Sequence, residues 1–208
     1  MTKFIAKTIS VLFHPLILPT LGVLILFNSG SYIDFLPFSA KKIILIIVFV
    51  STFILPLTFV PFYLFQNIIS TVQMDSHKER LVPFFISFCL YVFCYYLLNR
   101  IGSLAIINWM ILSGAISVLL LFLVSIKWKI SAHMIGLGGL TGTIIALSFL
   151  LKVNLQYYLI IAVLISGIVA YSRLTLSAHN PKQIYSGWLV GLISTFVALY
   201  FIYPVFQF

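Results

Sequence analysis

The 208-residue chain reads as an all-α protein, a polytopic transmembrane helical bundle of about six to seven spans. Charged residues make up only 7% of it, against 62% hydrophobic ones. Soluble domains carry about a quarter charged residues, so this chain cannot cover a globule with ionic surface. Mean hydropathy is +1.21. Its apolar runs suit hydrocarbon crossings of about 20 residues and are too long for barrel strands. Inside a bilayer every backbone N–H and C=O needs an internal partner, which leaves helices. Disorder, a disulfide-stapled secreted scaffold and a soluble enzyme are excluded together. Residues 1–208 read as one integral membrane domain.

Polar clusters separate seven candidate spans, at about 8–28, 43–65, 83–98, 104–126, 133–151, 155–171 and 184–207. The first follows Lys3 and Lys7 and lacks a small-residue cleavage site, so it reads as a retained span. Pro15 and Pro19 can break it, which keeps counts of six or eight open. The second ends in the polar stretch QNIISTVQMDSHKERLV, and the third is short and aromatic. Asn99-Arg100 turns the chain into the fourth, KWKIS precedes the fifth, and Lys152 to Asn154 turns into the sixth. SRLTLSAHNPKQ leads to the last. Gly138 and Gly142, and likewise Gly187 and Gly191, stand four apart, a spacing that lets helices approach closely. Trp109, Trp128, Tyr157, Tyr158 and Tyr203 read as interfacial anchors. Cys89 and Cys94 share one apolar segment and suggest neither a disulfide nor a metal site.

The formal charge is +9, from twelve Lys and Arg against Asp34, Asp75 and Glu79. The cations are scattered through short loops, with no arm to track a nucleic acid backbone, so lipid head groups or a phosphorylated substrate suit them better. With seven spans, the loops at 66–82, 127–132 and 172–183 share the N-terminal side. They hold Asp75, His77, Lys78, Glu79 and Arg80, then Lys127, Lys129, Ser131 and His133, then Ser172, Arg173, His179, Lys182 and Gln183. The other side has only Asp34, Lys41, Lys42, Arg100 and Lys152. The positive-inside rule puts the richer side in the cytoplasm. Lys78, Arg80, Lys129 and Arg173 are themselves candidate phosphate ligands, however, and without them the two sides tie.

Arg173 offers a planar fork of donors suited to phosphate oxygens. His179, close by in the loop, can attack phosphorus or move a proton. Ser131 opens the fifth span, where free N–H groups and a hydroxyl favour an anion, and His133 can act as a general acid. Taken singly, these residues also suit a helix cap and contacts to lipid head groups. Their convergence favours a site. His14 reads as a structural histidine bonded to a neighbouring helix, although any intramembrane histidine is a functional candidate. His77 reads as a solvated loop residue.

Ser172-Arg173, five residues, His179, three residues and Gln183 resemble the third motif of the type 2 phosphatidic acid phosphatase superfamily, which ends in aspartate. Ile130-Ser131-Ala132-His133 is similar to its second motif, Pro-Ser-Gly-His. Lys78, Arg80 and Pro83 loosely echo the first, a lysine followed seven residues on by Arg-Pro. The family-like core covers about 75–191. The resemblance implies a phosphatase needing no metal or other cofactor. Its substrate would be a phosphorylated membrane lipid: phosphatidic acid, phosphatidylglycerol phosphate or a polyprenyl diphosphate. The setting would be a bacterial plasma (inner) membrane. By similarity, His179 would be the nucleophile that forms a phosphohistidine, and His133 would protonate the leaving group and then activate water. Arg173, Ser131, Arg80 and Lys78 would hold the phosphoryl oxygens, and Gln183 would orient His179. A glutamine carbonyl can accept from the imidazole but carries no charge, and Asp75 or Glu79 is the candidate replacement. The same departure keeps a second expectation open, a catalytically silent relative that binds or helps move phospholipids or serves as a complex subunit.

Overall fold

The computed structural model describes residues 2–207 apart from Gln73 and Asp75, with 206 and 207 as backbone only. Its helices build seven spans, each long and apolar enough to cross a membrane. Helices α1 (Lys3–Leu12) and α2 (Leu18–Leu26) form the first, separated by a 3-10 turn at Pro15–Ile17. Proline lacks an N–H and drives the preceding residue out of helical conformation. His14 accordingly takes an extended backbone (ψ 137°), and the chain steps sideways before restarting. The break expected at Pro15 is therefore present, yet the two pieces remain one span.

Helices α3 (Phe38–Phe49) and α4 (Leu55–Phe65) form the second span through a π-turn at Val50–Ile54. This wider turn lies directly before Pro56, whose missing N–H would otherwise leave a gap in the i→i−4 ladder. Helices α5 (Leu81–Arg100), α6 (Ala105–Ser125), α7 (Ala132–Leu151) and α8 (Gln156–Thr175) each make one unbroken span. Helix α9 (Pro181–Val197) continues through a second π-turn, Ala198–Ile202, to complete the seventh.

Helix α7 is the hub, with 61% of its span buried against 22% for α5 and α8. Its glycine pair seats against the backbone of α9, and Gly191 of α9 seats against the backbone of α7. Gly138 faces the Trp188 carbonyl, Gly142 the Leu192 carbonyl and Thr195 hydroxyl, and Gly191 the Ile135 carbonyl. A Cβ at any of these positions would collide with backbone or a buried hydroxyl. Thr195 Oγ1 donates across the seam to Gly139 O at 2.9 Å. The close approach expected from the glycine spacing is thus present in the α7–α9 pair. Elsewhere α1 leans on α8, whereas α4 leans on α5. The halves of the first two spans that face the N-terminal side are therefore braced on different neighbours. Seven alternating crossings bring the 66–80, 126–131 and 176–180 segments to that same side.

Candidate active site

A cavity of about 570 Å³ opens among these segments. At its polar end lie Lys7 and His14 from the first span, Arg80 at the start of α5, and Lys129 before α7. His133 from the first turn of α7, Arg173 from the last turn of α8, and His179 before α9 complete that end. The cavity then runs between the spans past Gly22, Tyr91, Gly114, Thr143 and Thr195. From His133 to Thr143 along α7 this is about 15 Å at 1.5 Å per residue. The space thus joins a cationic, histidine-rich head to a mostly apolar shaft.

Local sequence fixes His179. Asn180 caps α9 and accepts the Gln183 backbone N–H at 3.0 Å, while Pro181 occupies the first helical position. Gln183 Oε1 reaches back to accept the Asn180 backbone N–H at 3.1 Å, closing a capping box. That bond can run only one way, so the atom at this position is the amide oxygen. The same oxygen lies 3.1 Å from His179 Nδ1 and must be an acceptor there too. His179 therefore carries its proton on Nδ1 and keeps the lone pair on Nε2. The ring is 7% exposed. Burial, and then the charges of Arg80 and Arg173, push its pKa down to about 4, against the opposing pull of the Gln183 hydrogen bond. His179 is a neutral, buried base at pH 7.

His133 is held differently. Its Nε2 lies 2.9 Å from the backbone oxygen of Ser10, a carbonyl that can only accept, so Nε2 carries the proton and Nδ1 is the open nitrogen. The rings of His133 and His14 meet edge to face, with centroids 5.5 Å apart and planes at 77°. Gly136, one turn on from Ala132, leaves room for Pro15 and Leu18, so the break in the first span seats against α7.

Four cations converge here: Lys7 from α1, Arg80 at the start of α5, Lys129 before α7 and Arg173 from α8. Arg80 is 6% exposed, and its Nε donates to Met74 O at 2.7 Å. Arg173 is half-buried, and its Nε is buried without a hydrogen-bond partner among the described residues. Lys129 lies near enough for its charge to act on His179. Among the described residues no carboxylate lines the cavity. Nor is any group of three or more His, Cys, Asp or Glu among them placed to hold a metal ion. Such a lining attracts an anion.

Of the residues singled out in the sequence, His179, His133, Arg173 and Arg80 come together at the cavity, and Gln183 stands behind His179. Ser131 and Lys78 do not line it. Ser131 takes the N-cap position of α7, but its hydroxyl is wholly buried and has no hydrogen-bond partner among the described residues. Its backbone N–H donates instead to Gln183 O at 3.3 Å, tying the start of α7 to the first turn of α9. Lys78 is exposed. Glu79 accepts from the Ser70 hydroxyl at 3.1 Å rather than from an imidazole, and Asp75 lies outside the described residues. His77 is not a solvated loop residue: half-buried, its Nδ1 sits 3.1 Å from Ser125 O.

Comparison of the chain with family models, curated proteins and solved structures returns no match.

Two features escaped the sequence reading. His14 belongs to the site wall, and Ser10 supplies the carbonyl that sets the His133 tautomer. Both depend on which helix the first span packs against, and hydropathy says nothing of that. The Asn-Pro-Lys-Gln capping box could have been read, since Asn with a glutamine three residues on, and proline between them, marks a helix start.

Proposed function

We propose that this protein is a membrane phosphatase that hydrolyses a lipid phosphate or diphosphate through a phosphohistidine on His179. The setting that the motif resemblance implies is a bacterial plasma membrane. One observation carries the reading: a single cavity joins a neutral histidine with an open Nε2 to four cations and to a shaft of mostly apolar lining. That shape and charge suit an amphiphile with an anionic head and a long tail, such as phosphatidic acid, phosphatidylglycerol phosphate or a polyprenyl diphosphate.

The chemistry follows from the two tautomers. The His179 Nε2 lone pair attacks phosphorus, the bond from phosphorus to the lipid oxygen breaks, and that oxygen takes the proton that the monoanionic phosphate head brings in, relayed through the open Nδ1 of His133. Ser10 O retains the Nε2–H of His133, so Nδ1 is the nitrogen that exchanges the proton. Water then attacks phosphorus, gives its proton to Nδ1 and frees His179. Arg173 and Arg80 stabilise charge on the equatorial oxygens, which is the main demand of phosphoryl transfer.

The test is phosphate release by detergent-purified protein in EDTA from those three lipid classes, beside His179→Ala and His133→Ala. Release that survives EDTA and is lost in both variants is expected. Folded wild-type protein that binds these lipids without releasing phosphate overturns the catalytic reading in favour of a silent lipid-binding protein.

A further inference from the structure

The first span lies outside the motif-bearing segment 75–191, yet it delivers a histidine to the cavity. His14 sits at the step between α1 and α2, where Pro15 has driven the backbone out of helix. Its Nδ1 accepts the Leu16 backbone N–H at 3.4 Å, which leaves the ring proton on Nε2. Among the described residues nothing accepts that Nε2–H, and the atom is not among the buried unpartnered ones. His14 thus carries a donor with surface of its own in a cavity that already holds Arg80, Arg173 and His179. The charge of Arg173 reaches both His14 and His133. A neutral imidazole N–H beside a guanidinium is a donor pair for oxyanions.

We propose that His14 is a phosphate ligand of this site, donating Nε2–H to a non-bridging oxygen, so that the first span completes the anion pocket. This deepens the phosphatase reading and rests on it.

Two isosteric substitutions separate that role from a structural one. Glutamine puts its amide N–H near the position of histidine Nε2, whereas asparagine puts its oxygen near Nδ1 and can keep only the cap on Leu16. Binding of inorganic phosphate to the detergent-purified full chain is measured by calorimetry for wild type, His14→Gln, His14→Asn and His14→Ala, with thermal unfolding alongside. Expected are near-native affinity in His14→Gln, within about threefold, and a loss of about tenfold or more in His14→Asn and His14→Ala, the weight of one hydrogen bond to a charged group. The unfolding midpoint of His14→Asn should stay near that of wild type. The reverse order, with asparagine rescuing and glutamine not, assigns His14 to helix capping and overturns the proposal, as does native affinity in all three variants. Wild-type protein that binds no phosphate overturns it as well. If that protein still releases phosphate from lipid, the phosphatase reading stands without His14; if it releases none, both fall.

Discussion

Gln183→Glu tests whether residue 183 sets the proton affinity of His179. The change preserves length, so one oxygen can still accept from both Asn180 N–H and His179 Nδ1–H, each at 3.1 Å in the native protein. Glutamate is also a usual capping-box residue, so α9 should start where it does now. The added element is one negative charge. With charge centres about 4.5 Å apart and an effective dielectric of about 20, its attraction to an imidazolium is about 4 kcal/mol, or roughly 2.7 pK units. Gln183 is half-buried, and solvent at that edge trims the effect to about 2 units. His179, held at about 4 in the native protein, should then titrate near 6, by this arithmetic. In the proposed reaction, the positive charge that would appear on the ring as phosphorus bonds to Nε2 would gain the same stabilisation, worth up to about 100-fold in rate. The assay is kcat/KM for lipid phosphate against pH, with His179 followed by proton NMR. The acid limb should move from about 4 in wild type to about 6, with a rise in rate at pH 8. An acid limb that stays put in a folded variant would refute the idea that residue 183 governs His179. Gln183→Asp restores the residue of the resembled motif but withdraws the oxygen by one methylene, so it should achieve less.

Two further outcomes are expected. Gly138→Ala drives a methyl into the Trp188 carbonyl and should cost about 1–3 kcal/mol, read as a lowered thermal midpoint in detergent; an unchanged midpoint would mean that α7 and α9 do not meet at that carbonyl. His179 takes up its proton near pH 4 when folded and near 6.5 when unfolded. Its contribution to stability is therefore full above 6.5 and is lost as pH falls toward 4. His179→Asn should flatten that slope, and identical pH profiles would contradict the buried, neutral state.

Much of this architecture was legible because the bilayer allows so few solutions. Seven apolar runs had to become helices, and loops that follow the second, fourth and sixth crossings had to return to the N-terminal side. The glycine pairs predict close helix approach, because only a missing Cβ lets two backbones come that close, but not that α7 and α9 are the two that meet. Side-chain direction was not legible. Ser131 stands at the helix start as expected, yet its hydroxyl turns into protein rather than toward the cavity. The polar loop around His77 predicts a solvated ring, while its partner, the Ser125 carbonyl, lies at the end of another helix. His14 looked structural because spacing cannot say that its span would wedge against α7. Such facts belong to helix packing, which the one-dimensional pattern does not encode.

The different bracing of α1 and α4 has a kinetic consequence. Val11 on α1 and Leu57 on α4 both line the cavity while remaining 65% and 46% exposed on the outer, apolar surface. A tail entering between them would never leave hydrocarbon. For a ligand that arrives this way, the quantity that saturates the protein is its mole fraction in the membrane plane, not its bulk molarity. Diluting the lipid into inert detergent at constant total concentration would then slow turnover, and diluting the whole suspension with buffer would not.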